Sequence, residues 1–175
     1  FPTWVCDVLA EHVQDFAKYP PNDGTPELRA AIAGWVNQRF GVALDADTQV
    51  MPLNGTREGL YNAAMALCPE EKNGQAPAIL LPNPFYQVYM IGAISVRAEP
   101  VFVNATEETG HLPDFSTVSP EVLDRTTMAF LCSPANPQGA IASREDWQRL
   151  IALAEKHDFQ IMADECYSEI YRDAP

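Results

Sequence analysis

Basic charge is scarce in this chain of 175 residues. Eleven Lys and Arg stand against 24 Asp and Glu, a formal net charge of -13. Nucleic acid and anionic membranes are bound by clustered cations, so neither is expected as a partner. No apolar run approaches the roughly 20 residues needed to span a bilayer. The glycine-rich phosphate cradles are missing: there is no G-x-x-x-x-G-K-[ST] and no G-x-G-x-x-G, which excludes a P-loop and a dinucleotide fingerprint. Cysteine is sparse. Cys6, Cys68, Cys132 and Cys166 show no C-x-x-C and no ligand spacing, and His12, His111 and His157 show no partner pattern. No metal is therefore expected, and the cysteines read as small apolar residues of a reducing cytoplasm. Lysine is rarer still, limited to Lys18, Lys72 and Lys156.

The composition that remains, 47% hydrophobic and 20% charged, is that of a globular protein with one sizeable core. The acidic residues are dispersed and read as a solvated surface. The chain opens on Phe1-Pro2-Thr3-Trp4 and closes on Asp173-Ala174-Pro175, and both ends read as interior sequence, so a fragment is expected. With no secretory signal in view, Asn54-Gly55-Thr56 and Asn104-Ala105-Thr106 are taken as chance glycosylation matches.

Helical and strand-like stretches alternate. Thr25 is a good N-cap, Pro26 suits the first helical position and Gly41 suits the stop, which predicts a helix over 26–40 with Leu28, Ile32, Trp35 and Val36 as its apolar stripe. Residues 49–53 read as a short strand. Residues 56–67 read as a helix with Leu60, Ala63, Ala64 and Leu67 on one face. Strands are expected over 78–81, 96–103, 127–132 and 159–163, and Pro100 weakens the second. A helix is expected over about 85–94, and 104–124 reads as loop. The clearest helix covers 143–156, where Ser143 and Asp146 make a capping signature and Trp147, Leu150, Ile151 and Ala154 fall at helical spacing. Alternation with continuous apolar strands predicts an α/β fold, a three-layer α/β/α sandwich on a mostly parallel sheet. The Pro-rich stretch 19–24 is the one plausible boundary, which divides a leading segment 1–25 from a sheet region 26–175.

Polar groups collect where strands end, the position at which open parallel sheets bind ligands. Asp164 ends an apolar run, where a lone carboxylate needs a cationic partner or a proton. A protonated pyridine nitrogen is such a partner, which points to pyridoxal phosphate (PLP). Tyr167, three residues on, can share that crevice, whereas Glu165 should face the other way. Asn136 sits in a loop between Pro134 and Pro137 after another strand. Tyr86, just past Pro82-Asn83-Pro84-Phe85, could lay a flat ring against a planar ligand. Gly55 and Thr56 stand at a strand-to-helix junction, where backbone N–H groups and a hydroxyl can hold a phosphate. His157, at a helix end, reads as structural. Arg97 and Arg172 read as surface residues before anything else.

In order along the chain, these blocks resemble the class I/II aminotransferases of PLP fold type I. Tyr19-Pro-Pro-Asn-Asp-Gly24-Thr-Pro-Glu-Leu-Arg29 is similar to the family's Y-x-x-x-x-G-x-x-x-L-R. Asn136-Pro137-Gln138-Gly139 resembles N-P-T-G with Gln for Thr, and Asp164-Glu165-Cys166-Tyr167 matches D-x-x-Y. The opening residues and the block 54–59 look most like the branch that includes N-succinyldiaminopimelate aminotransferase. The resemblance implies an incomplete PLP-binding large domain, with the small C-terminal domain missing. It implies pyridoxal 5'-phosphate as cofactor, amino acid and 2-oxo acid substrates, and a cytoplasmic homodimer with a shared active site. By the same resemblance, Asp164 pairs with the ring nitrogen, and Asn136 and Tyr167 hydrogen-bond the ring oxygen. Tyr86 stacks on the ring, Gly55, Thr56 and Arg57 hold the phosphate, and Tyr19 reaches the phosphate of a neighbouring subunit. The family's Schiff-base Lys and its carboxylate-binding Arg belong downstream of D-x-x-Y, and none of the three lysines here has that context. A PLP-dependent lyase or synthase of the same fold, or a non-catalytic domain that keeps the fold, are the alternatives left open.

Overall fold

The computed structural model describes residues 1–171, so Arg172 lies outside the described residues. The chain forms two compact units, Phe1–Asn54 and the stretch from Gly55 onward.

The first unit holds helix α1, Trp4–Glu11, a 3-10 turn over Val13–Ala17, and helix α2, Pro26–Phe40. Helix α2 begins and ends as its sequence dictates. Thr25 Oγ1 accepts from the Leu28 N–H at 3.2 Å, and Gly41 closes the helix in the left-handed conformation at φ 69°. Its expected apolar stripe is only partly covered, since Leu28 and Trp35 are about half exposed. The buried polar group is Arg29 instead. Its guanidinium takes Asp23 Oδ2 at 3.0 Å, the Gly24 carbonyl at 2.8 Å and Asp47 Oδ1 at 3.1 Å, tying the Pro-rich loop to the 45–47 turn. The strand expected over 49–53 does not form. Pro52 has no N–H to give a ladder, no strand among the described residues pairs with the run, and Met51 and Leu53 are exposed. Helix α1, by contrast, carried no sequence expectation, and it buries none of its residues.

The second unit is a four-stranded, all-parallel sheet in the order β2-β1-β3-β4, where β1 is Ala78–Asn83, β2 Glu99–Asn104, β3 Thr126–Cys132 and β4 Gln160–Asp164. Side chains alternate across it. Leu80, Ala129 and Leu131 face Leu150 and Ala154 of α6 (Arg144–His157) and Leu123 of the short α5 (Pro120–Asp124). Ile79, Leu81, Met128 and Phe130 face Ala64 of α3 (Thr56–Leu67) and Tyr89 and Ala93 of α4 (Gln87–Ser95). These are the three layers the alternation predicts. A Cβ on Gly92 would lie 3.2 Å from the Ala64 Cβ, so Gly92 lets α4 approach α3 closely.

Pro100 is tolerated because β2 is an edge strand. The other edge departs from expectation. β3 is buried throughout, but in β4 only Asp164 is buried, because β4 has no neighbour on its outer side among the described residues. Within 104–124, expected as loop, Ser119 and Pro120 start α5, which is too short for periodicity to reveal. Ahead of α6 the capping box forms in full: Ser143 Oγ accepts from the Asp146 N–H, and Asp146 Oδ2 accepts from the Ser143 N–H at 2.8 Å.

Candidate active site

The order β2-β1-β3-β4 reverses direction between β1 and β3, because the chain leaves β1 for one edge and returns to its other side. A crevice opens there at the carboxyl ends of the strands. It is a cavity of about 200 Å³ lined by Thr56, Arg57, Tyr86, Asn136, Asp164 and Tyr167, with Leu60, Pro82, Pro84, Tyr89, Cys132 and Cys166 completing the wall. Six of the eight expected site residues thus share one pocket. Gly55 stands beside them as the N-cap of α3, at φ 150°, a backbone state that glycine tolerates and a side chain resists. A Cβ there would fall 2.7 Å from Glu58 Oε2. Tyr19 belongs to the other compact unit and is fully exposed.

Each wall has a local cause. The start of α3 has no side-chain cap, so its first backbone N–H groups point past the helix end, where the helix dipole favours an anion. Arg57 adds a cation at that end, its guanidinium carbon 6.0 Å from the centre of the Tyr86 ring. Tyr86 is the N-cap of α4 and packs edge-on against Tyr89, with ring centres 5.7 Å apart. Asn136 and Tyr167 are joined, since Asn136 Nδ2 donates to the Tyr167 hydroxyl at 3.2 Å. Asn136 sits in a loop whose Ser133-Pro134 and Asn136-Pro137 bonds are both cis.

Asp164 is buried at 9% exposure, opposite Cys132 in the β3–β4 register. Among the described residues its carboxylate has no cationic partner. The Tyr89 hydroxyl donates to Oδ2 at 2.6 Å and the Cys166 N–H to Oδ1 at 3.3 Å. Tyr89 is the residue sequence reasoning missed. It lies one helical turn after Tyr86, and that i, i+3 pair of tyrosines was the available signal. Its ring is stacked on Phe130 with centres 4.4 Å apart. Burial, and then the bond to Asp164, push its hydroxyl far above the ordinary tyrosine range, which keeps it a donor. Burial likewise raises the Cys132 thiol, and raises Cys166 to about 11, with the Asp164 carboxylate adding to both. The Tyr167 hydroxyl is also raised, first by the charge of Cys166.

The two lysines of the second unit sit away from the pocket. Lys72 Nζ donates to the carbonyls of Thr126, His157 and Asp158 at 2.7, 2.6 and 2.5 Å. Thr126 begins β3, so Lys72 is a strand's length, about 20 Å, from the pocket. Lys156 is in the last turn of α6 at that same end, and Lys18 is in the other unit. Arg97 is exposed ahead of β2, also at the far end of the sheet. His157 is structural as expected, its Nδ1 2.8 Å from Asp124 Oδ1.

The model of the family described as aminotransferase class I and II matches residues 5–175. The chain belongs to this family. The LL-diaminopimelate aminotransferase of Dehalococcoides mccartyi strain 195 is 35% identical over 174 residues, which are 98% of this chain and 44% of that protein. The crystal structure of an aminotransferase from Neisseria meningitidis superposes with a TM-score of 0.92 at 38% identity, covering 98% of this chain and 43% of that one. The aminotransferase AspB of Helicobacter pylori gives 0.88 at 34%, with 99% and 45% covered. The chain thus spans less than half the length of these aminotransferases, and its sheet is an incomplete α/β large domain of the aminotransferase type. No helix among the described residues is long and apolar enough to cross a membrane.

Proposed function

We propose that the protein carrying this chain is a PLP-dependent aminotransferase that moves an amino group from an amino acid to a 2-oxo acid. The observation that carries the reading is Asp164, a buried carboxylate with no cationic partner among the described residues, held by Tyr89 at the mouth of a parallel sheet. A protonated ring nitrogen supplies the missing positive charge. The donor set around it fits PLP: an aromatic face at Tyr86, a hydroxyl and an amide at Tyr167 and Asn136, and an uncapped helix start with a cation at Gly55, Thr56 and Arg57. When bound, that cofactor supplies an electron sink for the substrate's α-carbon.

Each residue then has a task. Asp164 keeps the ring nitrogen protonated, and Tyr89 holds the carboxylate for it. Asn136 and Tyr167 donate to the ring oxygen and favour its anion. Tyr86 fixes the plane of the ring. Gly55 admits the phosphate to the N–H groups of α3, and Thr56 and Arg57 bind it. In this reading Tyr19, fully exposed in its own unit, reaches the phosphate of a neighbouring subunit in a cytoplasmic homodimer. Residues 1–25 lead into the large domain and 26–175 form part of it, while the Schiff-base lysine and a small domain come from the rest of the protein. Apolar side chains left uncovered, among them Ile91, Ile94, Phe102 and Ile141, are consistent with further chain packing here.

Similar proteins named LL-diaminopimelate aminotransferase suggest the donor class, and the sequence block 54–59 suggests its N-succinylated form. The test is to supply the full-length protein with PLP, a 2-oxo acid, and either donor. A new amino acid should appear in step with loss of the donor's amine. Donor consumption with no amination of the acceptor would favour the lyase reading instead.

A further inference from the structure

The sequence spacing of the cysteines gives no metal pattern, yet the fold gathers two of them. Cys132 ends β3 and Asp164 ends β4, directly opposite in register, and Cys166 follows two residues later. One ligand atom from each, the two Sγ atoms and a carboxylate oxygen, all lie within 4.8 Å of one another. In a tetrahedral site with metal–sulfur bonds near 2.3 Å, neighbouring ligand atoms stand about 3.8 Å apart, so small rotations close the gap. From this juxtaposition we infer that the pocket contains a latent site for a thiophilic divalent cation of the zinc and cadmium class, ligated by Cys132, Cys166 and Asp164.

The chemistry selects that class. Two thiolates and a carboxylate are soft and anionic, and they suit zinc or cadmium rather than magnesium or calcium. Three protein ligands leave a fourth position for water, the arrangement of an open site. The ligand set carries three negative charges, which outweigh Arg57, the one cation lining the cavity among the described residues, and the chain as a whole is strongly acidic. Asp164 already has an outer partner, since Tyr89 donates to Oδ2, while Oδ1, held only by the long 3.3 Å bond from the Cys166 N–H, has a lone pair to turn toward the ion. Such second partners orient metal-binding carboxylates. Cys166 is exposed and gives the ion a way in. On binding, each thiol loses its proton to solvent and forms one metal–sulfur bond, and Cys132 gives up its 3.2 Å bond to the Pro134 carbonyl. No oxidant or reductant is needed.

An ion here occupies the carboxylate assigned above to the cofactor ring, so metal and PLP exclude each other. That second half rests on the reading of Asp164 as the ring's anchor. The experiment titrates cadmium chloride into the reduced, cofactor-free full chain and follows the sulfur-to-cadmium charge-transfer band. One ion per chain is expected. The band should be lost in Cys166→Ser, which changes an exposed residue, and in Cys132→Ser, and should persist in Cys68→Ser. No band in the native chain, or a band unchanged in Cys166→Ser, overturns the site. PLP uptake is measured in parallel and should fall at least tenfold with zinc, recovering with chelator. If the band forms as expected but uptake is unchanged, the metal site stands and the cofactor role of Asp164 falls.

Discussion

Changing Tyr89 to Phe removes one oxygen and leaves everything else about the residue in place. The ring is 1% exposed and stacked on Phe130, and Phe preserves both. What disappears is the 2.6 Å donor to a carboxylate that is itself 9% exposed. A hydrogen bond to a charged group is worth about 1.5–3 kcal/mol, and the remaining donor, the Cys166 N–H at 3.3 Å, is too long to replace it. The cost is therefore about 2 kcal/mol. With a urea slope of about 2 kcal/mol/M for a chain of this size, the unfolding midpoint should drop by about 1 M with the slope unchanged. Urea unfolding of the cofactor-free chain, read by tryptophan fluorescence, measures it, and Tyr86→Phe is the control. The double variant Tyr89→Phe/Asp164→Leu should recover most of the loss, because no buried group is then left unpaired. A midpoint within about 0.2 M of the native value would refute the claim that Tyr89 holds Asp164.

Four further outcomes are expected. Lys72→Met strands three carbonyls and should cost about 2 kcal/mol in urea unfolding, yet leave PLP uptake unchanged because Lys72 lies at the far end of the sheet. Asp146 is held below its usual value of 3.8 by the Ser143 hydroxyl and N–H, so its contribution to stability is complete above that value and lost as pH falls through the lower folded one. Asp146→Asn should accordingly be about 0.5–1 kcal/mol less stable than the native chain at neutral pH, and the gap should close in acid denaturation as pH falls below 3.8 and through the lowered folded value. Gly55→Ala must hold φ 150° against the Glu58 carboxylate, and equilibrium dialysis should show PLP binding weakened about tenfold or more. Tyr86→Ala should speed cofactor loss and shift its absorption band, and an unchanged spectrum would remove Tyr86 from the ring face.

Much of this architecture is written in local chemistry. Ser143 with Asp146, Thr25 with Pro26 and Gly41, and the unbroken apolar run of β3 each state their structure within a few residues, and the fold obeys them. The strand-end rule then places Asn136, Asp164 and Tyr167 together from alternation alone. What stayed hidden depends on neighbours far away in sequence. Residues 49–53 look like a strand until a pairing partner is required. β4 looks buried until its outer neighbour proves to be missing among the described residues. Tyr89 and Asp164 are 75 positions apart, and only the packing of α4 on the sheet brings them into contact. Cys132 and Cys166 have no meaningful spacing, because register between two strands, not a loop motif, sets their separation.

The central claim is that Asp164 anchors the cofactor ring and keeps its nitrogen protonated. It is tested most directly by comparing amino-group transfer in the full-length native protein with Asp164→Asn, which keeps the shape of the side chain and removes its charge. The account predicts that the variant still takes up PLP through Tyr86, Thr56 and Arg57 but transfers at about a hundredth of the native rate or less. Transfer by Asp164→Asn at the native rate would contradict it.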